Sequence, residues 1–403
     1  MPELNQALLQ VTECIFGYPG RRSFQNGSNM KSRILILGAG FGGLELATLL
    51  SEALGEDADV TVIDQRDNFV FGYSRIDVMF GKTTLDAVRL PYASFAKPGI
   101  RLVKETITAI DAGARRVTTD RGTFEADFLV IALGADYDMG ATPGLAEHGN
   151  EFYSDAGADR LRQIMPGFSG GPIIVGICGF PYKCPPGPSE CALTLHHYLT
   201  ERGIRDACDI TFVSPLSSPM PASAEMAQAL VDTFDEYGIR LMRQKTVVRL
   251  EPGMAVLDDG TELPFALFLG VPKHQPPQVV IDSGLTEDGW VPIDLPTLET
   301  RSPDVYAIGD MAATGLPKSG TFAESAAKSV SSSILAKIAG AEMQRNTGQG
   351  TCIVEFGDGR VSYAQLDFLT GPKLEAVFHP PSVAGKTFKN GFDDTRRARW
   401  FNI

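Results

Sequence analysis

Apolar positions along this chain alternate between short unbroken runs and longer stretches with helical spacing, and each switch between the two is marked by glycine or proline. Ile34-Leu-Ile-Leu37 is an apolar run that predicts a buried strand, and the spacing from Phe41 to residue 54 predicts a helix. Val60-Thr-Val-Ile-Asp64 predicts a second strand. Residues 75–99 read as irregular with a short helix. Arg101-Leu-Val103, Glu105 to Ile110, Arg116 to Thr119 and Thr123 to Asp127 then read as the strands of a small β-meander turning at Gly122. Phe128 to Ala135 is a buried strand closed by a glycine turn.

The pattern restarts at Pro172-Ile-Ile-Val-Gly-Ile-Cys178, a second buried strand. A helix over Pro188–Arg202 is stopped by Gly203, with Pro188 in the first turn where a missing N–H costs nothing. Asp209 to Ser214 is the next strand, residues 224–237 a helix, and the stretch to Gly270 is β-rich. Ser302 to Asp310 gives one more strand ending on a carboxylate, followed by a helix reaching Ile338, and residues 351–378 predict two or three strands. The basic, aromatic run Arg396-Arg-Ala-Arg-Trp-Phe401 reads as a solvated helix end, with contact to a membrane surface as the alternative.

The glycines between the first strand and its helix carry chemistry. Gly38, Gly40 and Gly43 fit G-x-G-x-x-G, in which the first makes the tight turn, the second admits a pyrophosphate and the third lets helix pack on strand. The helix N-terminus then offers free N–H groups to phosphate. Asp64 closes the second strand near the ~20-residue distance at which a carboxylate accepts from a ribose hydroxyl. A dinucleotide site follows. In such a sheet ligands lie beyond the carboxyl ends of the strands, which puts Gly134 on the same crevice.

The equivalent turn of the second unit has no such glycines. It reads Cys178-Gly-Phe-Pro-Tyr-Lys-Cys-Pro-Pro-Gly-Pro-Ser-Glu-Cys191, and its prolines obstruct a pyrophosphate and remove the donors it needs. One dinucleotide and no nicotinamide cofactor are therefore expected.

Bulk properties narrow the class. At 403 residues the chain exceeds one ordinary domain, and its net charge of −13 argues against nucleic acid as a partner. No run approaches the ~18 apolar residues of a membrane span. No export signal is apparent, so a cytoplasmic protein is expected, with a membrane periphery as the variant suggested by the tail. Of six cysteines, three crowd into residues 178–191, but without a C-x-x-C pair, so redox chemistry is favoured over a metal site. Cys184 stands before a helix N-terminus and beside Lys183, both of which lower a thiol pKa. Glu190 is either a surface acid matched to the helix dipole or a proton relay for the thiols. Cys178 and Cys191 read as core, and His196 and His197 as structural.

Gly38 to Gly43 with Asp64, Ala132-Leu-Gly-Ala135 and Val305-Tyr-Ala-Ile-Gly-Asp310 together resemble the two-dinucleotide-domain flavoproteins of the glutathione-reductase structural class, over residues 31–340. The resemblance implies an α/β fold with two Rossmann-like domains, a β-meander and a small C-terminal β-containing interface region. It implies FAD held by Gly38, Gly40, Phe41, Gly43, Asp64 and Gly134. Gly309 and Asp310 reach the ribityl chain, and Lys318, Gly320 and Thr321 begin a helix aimed at the flavin pyrimidine. Implied domains are 31–150 with 300–345 for FAD, 151–299 carrying the cysteine loop, and a C-terminal region 346–403. Residues 1–29 are expected to be a partly disordered extension.

More narrowly, Lys183-Cys-Pro-Pro-Gly-Pro-Ser-Glu190, Pro317-Lys-Ser-Gly-Thr-Phe-Ala323 and the late Cys352 resemble sulfide:quinone oxidoreductase and the flavoprotein subunit of flavocytochrome c sulfide dehydrogenase. In that family two cysteines form a redox disulfide over the flavin, and Cys184 and Cys352 match their positions. The resemblance implies oxidation of sulfide, or of a small thiol or persulfide, with Cys184, Cys352, Glu190 and Lys318 as catalytic residues. Electrons pass to a quinone or a cytochrome-like carrier, and a homo-oligomer is expected. The alternatives are a type II NADH:quinone oxidoreductase and a flavin-binding sensor or partner subunit without turnover.

Overall fold

The computed structural model describes residues 31–57, 59–340 and 342–403. The expected extension 1–29 lies outside them. Strand β1 (Arg33–Leu37) leads through the glycine turn into helix α1 (Phe41–Leu54), then β2 (Asp59–Asp64), β3 (Ile100–Lys104) and β4 (Phe128–Ile131). The next unit comprises β5 (Asn150–Glu151), β6 (Gly171–Ile177), helix α2 (Gly187–Glu201), β7 (Cys208–Ser214), helix α3 (Ala224–Glu236), β8 (Ile239–Arg243) and β9 (Leu267–Val271). Last come β10 (Val305–Ala307), helix α4 (Gly320–Ala339), β11 (Gln349–Glu355), β12 (Val361–Asp367), β13 (Glu375–Ser382) and helix α5 (Val383–Arg396).

Two five-stranded parallel sheets result, in the orders β10-β4-β1-β2-β3 and β5-β9-β6-β7-β8. The central strands of both are buried on both faces, which is why they read as unbroken apolar runs. Arg101 to Val103 differs from the reading above. It pairs with Thr61 to Ile63 as the edge of the first parallel sheet, so the meander consists of Ile107–Asp111, Arg116–Thr119 and Thr123–Glu125. An edge strand with one wet face shows the same alternation as a meander strand, and the alternation could not separate them.

The C-terminal tail also departs from expectation, its aromatic end being buried rather than solvated. Trp400 and Phe401 are fully buried. The Trp400 ring meets Phe41 and Phe69 edge-on at 5.7 and 5.6 Å, and its indole N–H donates to Glu45 of α1 at 2.9 Å. Arg399 pairs with Glu45 and Glu52, and Arg396 with Glu324 of α4. Basic residues that looked like a solvated face are thus matched to acids on two helices of the first sheet's layer. Among the described residues, no helix is long and apolar enough to cross a membrane.

Candidate functional site

Both βα turns open on one cavity of about 390 Å³, within the roughly 300–1,000 Å³ of small-molecule sites. On the first sheet's side, Gly38 takes a φ of +98°, and a Cβ there would lie 2.6 Å from the Ala132 carbonyl oxygen. A Cβ on Gly43 would overlap the carbonyl oxygen of Gly38, so only glycine lets α1 start this close to β1. Gly40 is the opposite case: it lines the cavity with nothing within 4 Å of where its Cβ would be. The turn is tight where protein meets protein and open where a ligand would approach.

Gly40 caps α1 without a side-chain bond, leaving the first N–H groups and the positive dipole end directed at the space. Asp64 accepts from the N–H of Ala39 at 2.8 Å and lines the same cavity. Helix α4 begins there too, with Gly320 against the Phe41 ring and Thr321 bonded to the backbone of Thr351 at 3.0 and 3.1 Å. Gly134, Gly309 and Asp310 complete this part of the lining. Burial raises the Asp310 carboxyl, and the Lys183 and Lys318 ammonium groups oppose that rise. A glycine turn, a ribose-height carboxylate and two uncapped helix starts on one cavity fit the diphosphate, ribose and ring of a dinucleotide such as FAD.

On the second sheet's side stand the thiols. Cys184 and Cys352, far apart in sequence, both line the cavity, both are free, and the charge of Cys184 is felt at Cys352. Cys184 is held at a φ of +54°, its N–H donating to the Lys318 carbonyl oxygen at 2.7 Å and its own carbonyl oxygen accepting from Gly187 at 2.8 Å.

The expected lowering of the Cys184 pKa is reversed. Burial, and then the negative charge of Glu190, push it up to about 12 against the pull of the Gly187 N–H and Lys389. Lys183 has turned away, its ammonium 4.5 Å above the Tyr137 ring and 3.4 Å from the Ala135 carbonyl oxygen. Burial pushes Cys352 up to about 12 as well.

Glu190 is buried rather than on the surface, which removes the reading of it as an exposed dipole partner. Burial pushes its carboxyl up to about 7 despite Lys389, 3.6 Å away. Lys389, from α5, also binds Glu355 at 2.7 Å and lies over the Tyr73 ring. Burial pulls its ammonium down, but Glu190 and Glu355 outweigh that and hold it charged. Lys389 and Glu355 carry no signal in the sequence, since a single lysine and a single acid outside any motif mark no site by themselves.

Lys318 is the other correction. Its backbone holds the cysteine loop, but its ammonium turns out of the main cavity to bind the carbonyl oxygens of Asp310 and Ala312 and to lie 3.6 Å over the Trp290 ring. Burial lowers its pKa to about 8. Cys178 and Cys191 are core residues as expected, and His196 stacks on Tyr237 in a structural pair.

Residues 32–331 match the pyridine nucleotide-disulphide oxidoreductase family, well over half the chain. The chain belongs to that family. Its two-sheet α/β fold is shared with the solved sulfide:quinone oxidoreductase of Aquifex aeolicus, at a TM-score of 0.83 and 23% identity over 92% of each chain. In sequence it is 24% identical to the mitochondrial sulfide:quinone oxidoreductase of Mus musculus, over 84% of this chain and 79% of the relative. It is 28% identical to an NADH dehydrogenase-like protein of Mycobacterium tuberculosis, over 70% of this chain and 73% of the relative.

Proposed function

We propose that this pyridine nucleotide-disulphide oxidoreductase is an FAD enzyme that oxidises sulfide, or a small thiol or persulfide, through Cys184 and Cys352 and delivers the electrons to a quinone. One observation carries the reading: two thiols face a single cavity where the second sheet's turn has prolines instead of a phosphate-binding glycine loop. Residues 31–150 with 300–345 hold FAD through the glycine turn, Asp64 and Asp310, residues 151–299 present Cys184, and residues 346–403 present Cys352. Bound there, FAD would supply a two-electron acceptor for sulfur oxidation and a donor to the quinone.

In the oxidised protein Cys184 and Cys352 form a disulfide. Hydrosulfide attacks one sulfur and the S–S bond breaks, leaving a protonated persulfide on that cysteine and a thiolate on the other. Glu190, ionised above about pH 7, accepts the persulfide proton. Lys389 keeps that carboxylate charge-paired while the site stays dry.

Stopped-flow absorbance with sulfide and NADH, each alone, tests this. Bleaching by sulfide at least a hundredfold faster than by NADH is expected, since Pro185, Pro186 and Pro188 leave no cradle for a nicotinamide pyrophosphate. Fast bleaching by NADH would instead favour the activity named for the mycobacterial relative, and a reduced flavin that no acceptor reoxidises would mark a sensor.

A further inference from the structure

Tyr153 is a side chain that the chemistry above leaves unused. Its backbone is fixed: the N–H donates to Glu151 at 2.7 Å and the carbonyl oxygen accepts from the Tyr137 hydroxyl at 2.8 Å. Its ring packs edge-on against His274 and Tyr137. Yet the hydroxyl, 6% exposed as a residue and lining the cavity, has no hydrogen-bond partner. Leaving such a buried donor unmade is costly, so a native structure rarely retains one without a use.

The hydroxyl lies in the neighbourhood of the reactive sulfur. A Cβ placed on Gly187 would lie 3.2 Å from the Tyr153 oxygen and 3.4 Å from the Cys184 sulfur, so both atoms face one point. We propose that Tyr153 is a further catalytic residue, whose hydroxyl donates a hydrogen bond to the Cys184 sulfur when that sulfur is a thiolate or carries a persulfide. This rests on the assignment of Cys184 as a redox thiol. The need for such a donor follows from the surroundings, because burial, Glu190 and Asp310 outweigh the Gly187 N–H and Lys389 in opposing negative charge on Cys184, while the Lys183 ammonium lies over the Tyr137 ring. Burial and the nearby thiol hold the Tyr153 phenol well above its usual range, so it remains a donor throughout the working pH. Gly187 then acquires a reason: a side chain there would wedge between donor and sulfur.

The experiment is iodoacetamide alkylation of Cys184 in the reduced, FAD-loaded protein, followed by peptide mass spectrometry between pH 7 and 10. Tyr153→Phe should alkylate about tenfold more slowly at pH 8, with its pH profile moved up by about one unit and Cys352 unchanged. Wild-type rate and profile would overturn the assignment. Should Tyr153→Phe fail to retain FAD, Gly187→Ala reads the same contact: slowed alkylation supports it, and an unchanged rate overturns it. Alkylation needs no sulfide turnover, so a protein that ignores sulfide would refute the proposed reaction and leave this result standing.

Discussion

The two βα turns occupy the same topological place, each following the central strand of a five-stranded parallel sheet and each opening on the same cavity. Their contents are opposite. The β1–α1 turn is stripped of side chains so that backbone donors can meet a diphosphate, whereas the β6–α2 turn is filled with prolines and carries Cys184 at a positive φ. Under the proposed function the first turn's helix start serves as an anion site and the second's as a mount for a nucleophile. Position in the fold therefore fixes where a ligand is met, and the residues of the turn decide whether it is held or attacked.

This contrast can be broken one turn at a time. The largest effect should come from the second turn: Cys184→Ser and Cys352→Ser should each slow flavin reduction by sulfide on the order of 10³-fold or more, while the protein stays yellow. Either variant reducing at the wild-type rate would leave the thiols as bystanders. Next, Gly40→Val puts a branched side chain into the open side of the first turn and should weaken FAD about 100-fold, equivalent to about 3 kcal/mol. Isothermal titration of the FAD-stripped protein measures it, and because nothing packs on Gly40 the thermal midpoint of that stripped protein should hold. Unaltered FAD affinity would remove the glycine turn from the site.

The smallest effect sharpens the comparison within the second turn. Below about pH 7 the Glu190 carboxyl is protonated and cannot accept, so wild type and Glu190→Gln should reduce flavin at similar rates. Above it the wild type alone gains a proton acceptor, and the ratio should open to about tenfold by pH 8.5, the low end of the ~10²–10⁴ of general base catalysis. Taking the ratio cancels the ionisation of sulfide itself. A ratio flat with pH would make Glu190 a structural partner of Lys389.

The first turn was largely legible in the sequence, because Gly38, Gly40, Gly43 and Asp64 are local and each answers a fixed geometric demand. The strand and helix restart around Pro172 was legible for the same reason. What escaped is non-local. Trp400 and Arg399 look like a surface tail until Glu45 and Phe41 are brought to them from the other end of the described chain. Lys389 marks no site until Glu190 and Glu355 surround it. The direction of the Cys184 pKa was misread because a helix start and an adjacent lysine are visible in sequence, whereas burial and the rotation of Lys183 are not. Lys318 was misplaced because a motif fixes its backbone and leaves its side chain free to turn.

The docking of Trp400 and Phe401 against Phe41 and Phe69 also sets an order of events during synthesis. Translation proceeds at roughly 5–20 residues per second, so Phe41 emerges roughly 20–70 seconds before the aromatic pair that covers it. Strand β10, which completes the first sheet beside β4, arrives late as well. During that interval the glycine turn exists on a nascent chain without its edge strand or its aromatic backing. The first sheet's layer is therefore complete only once β10 and then Trp400 and Phe401 have emerged.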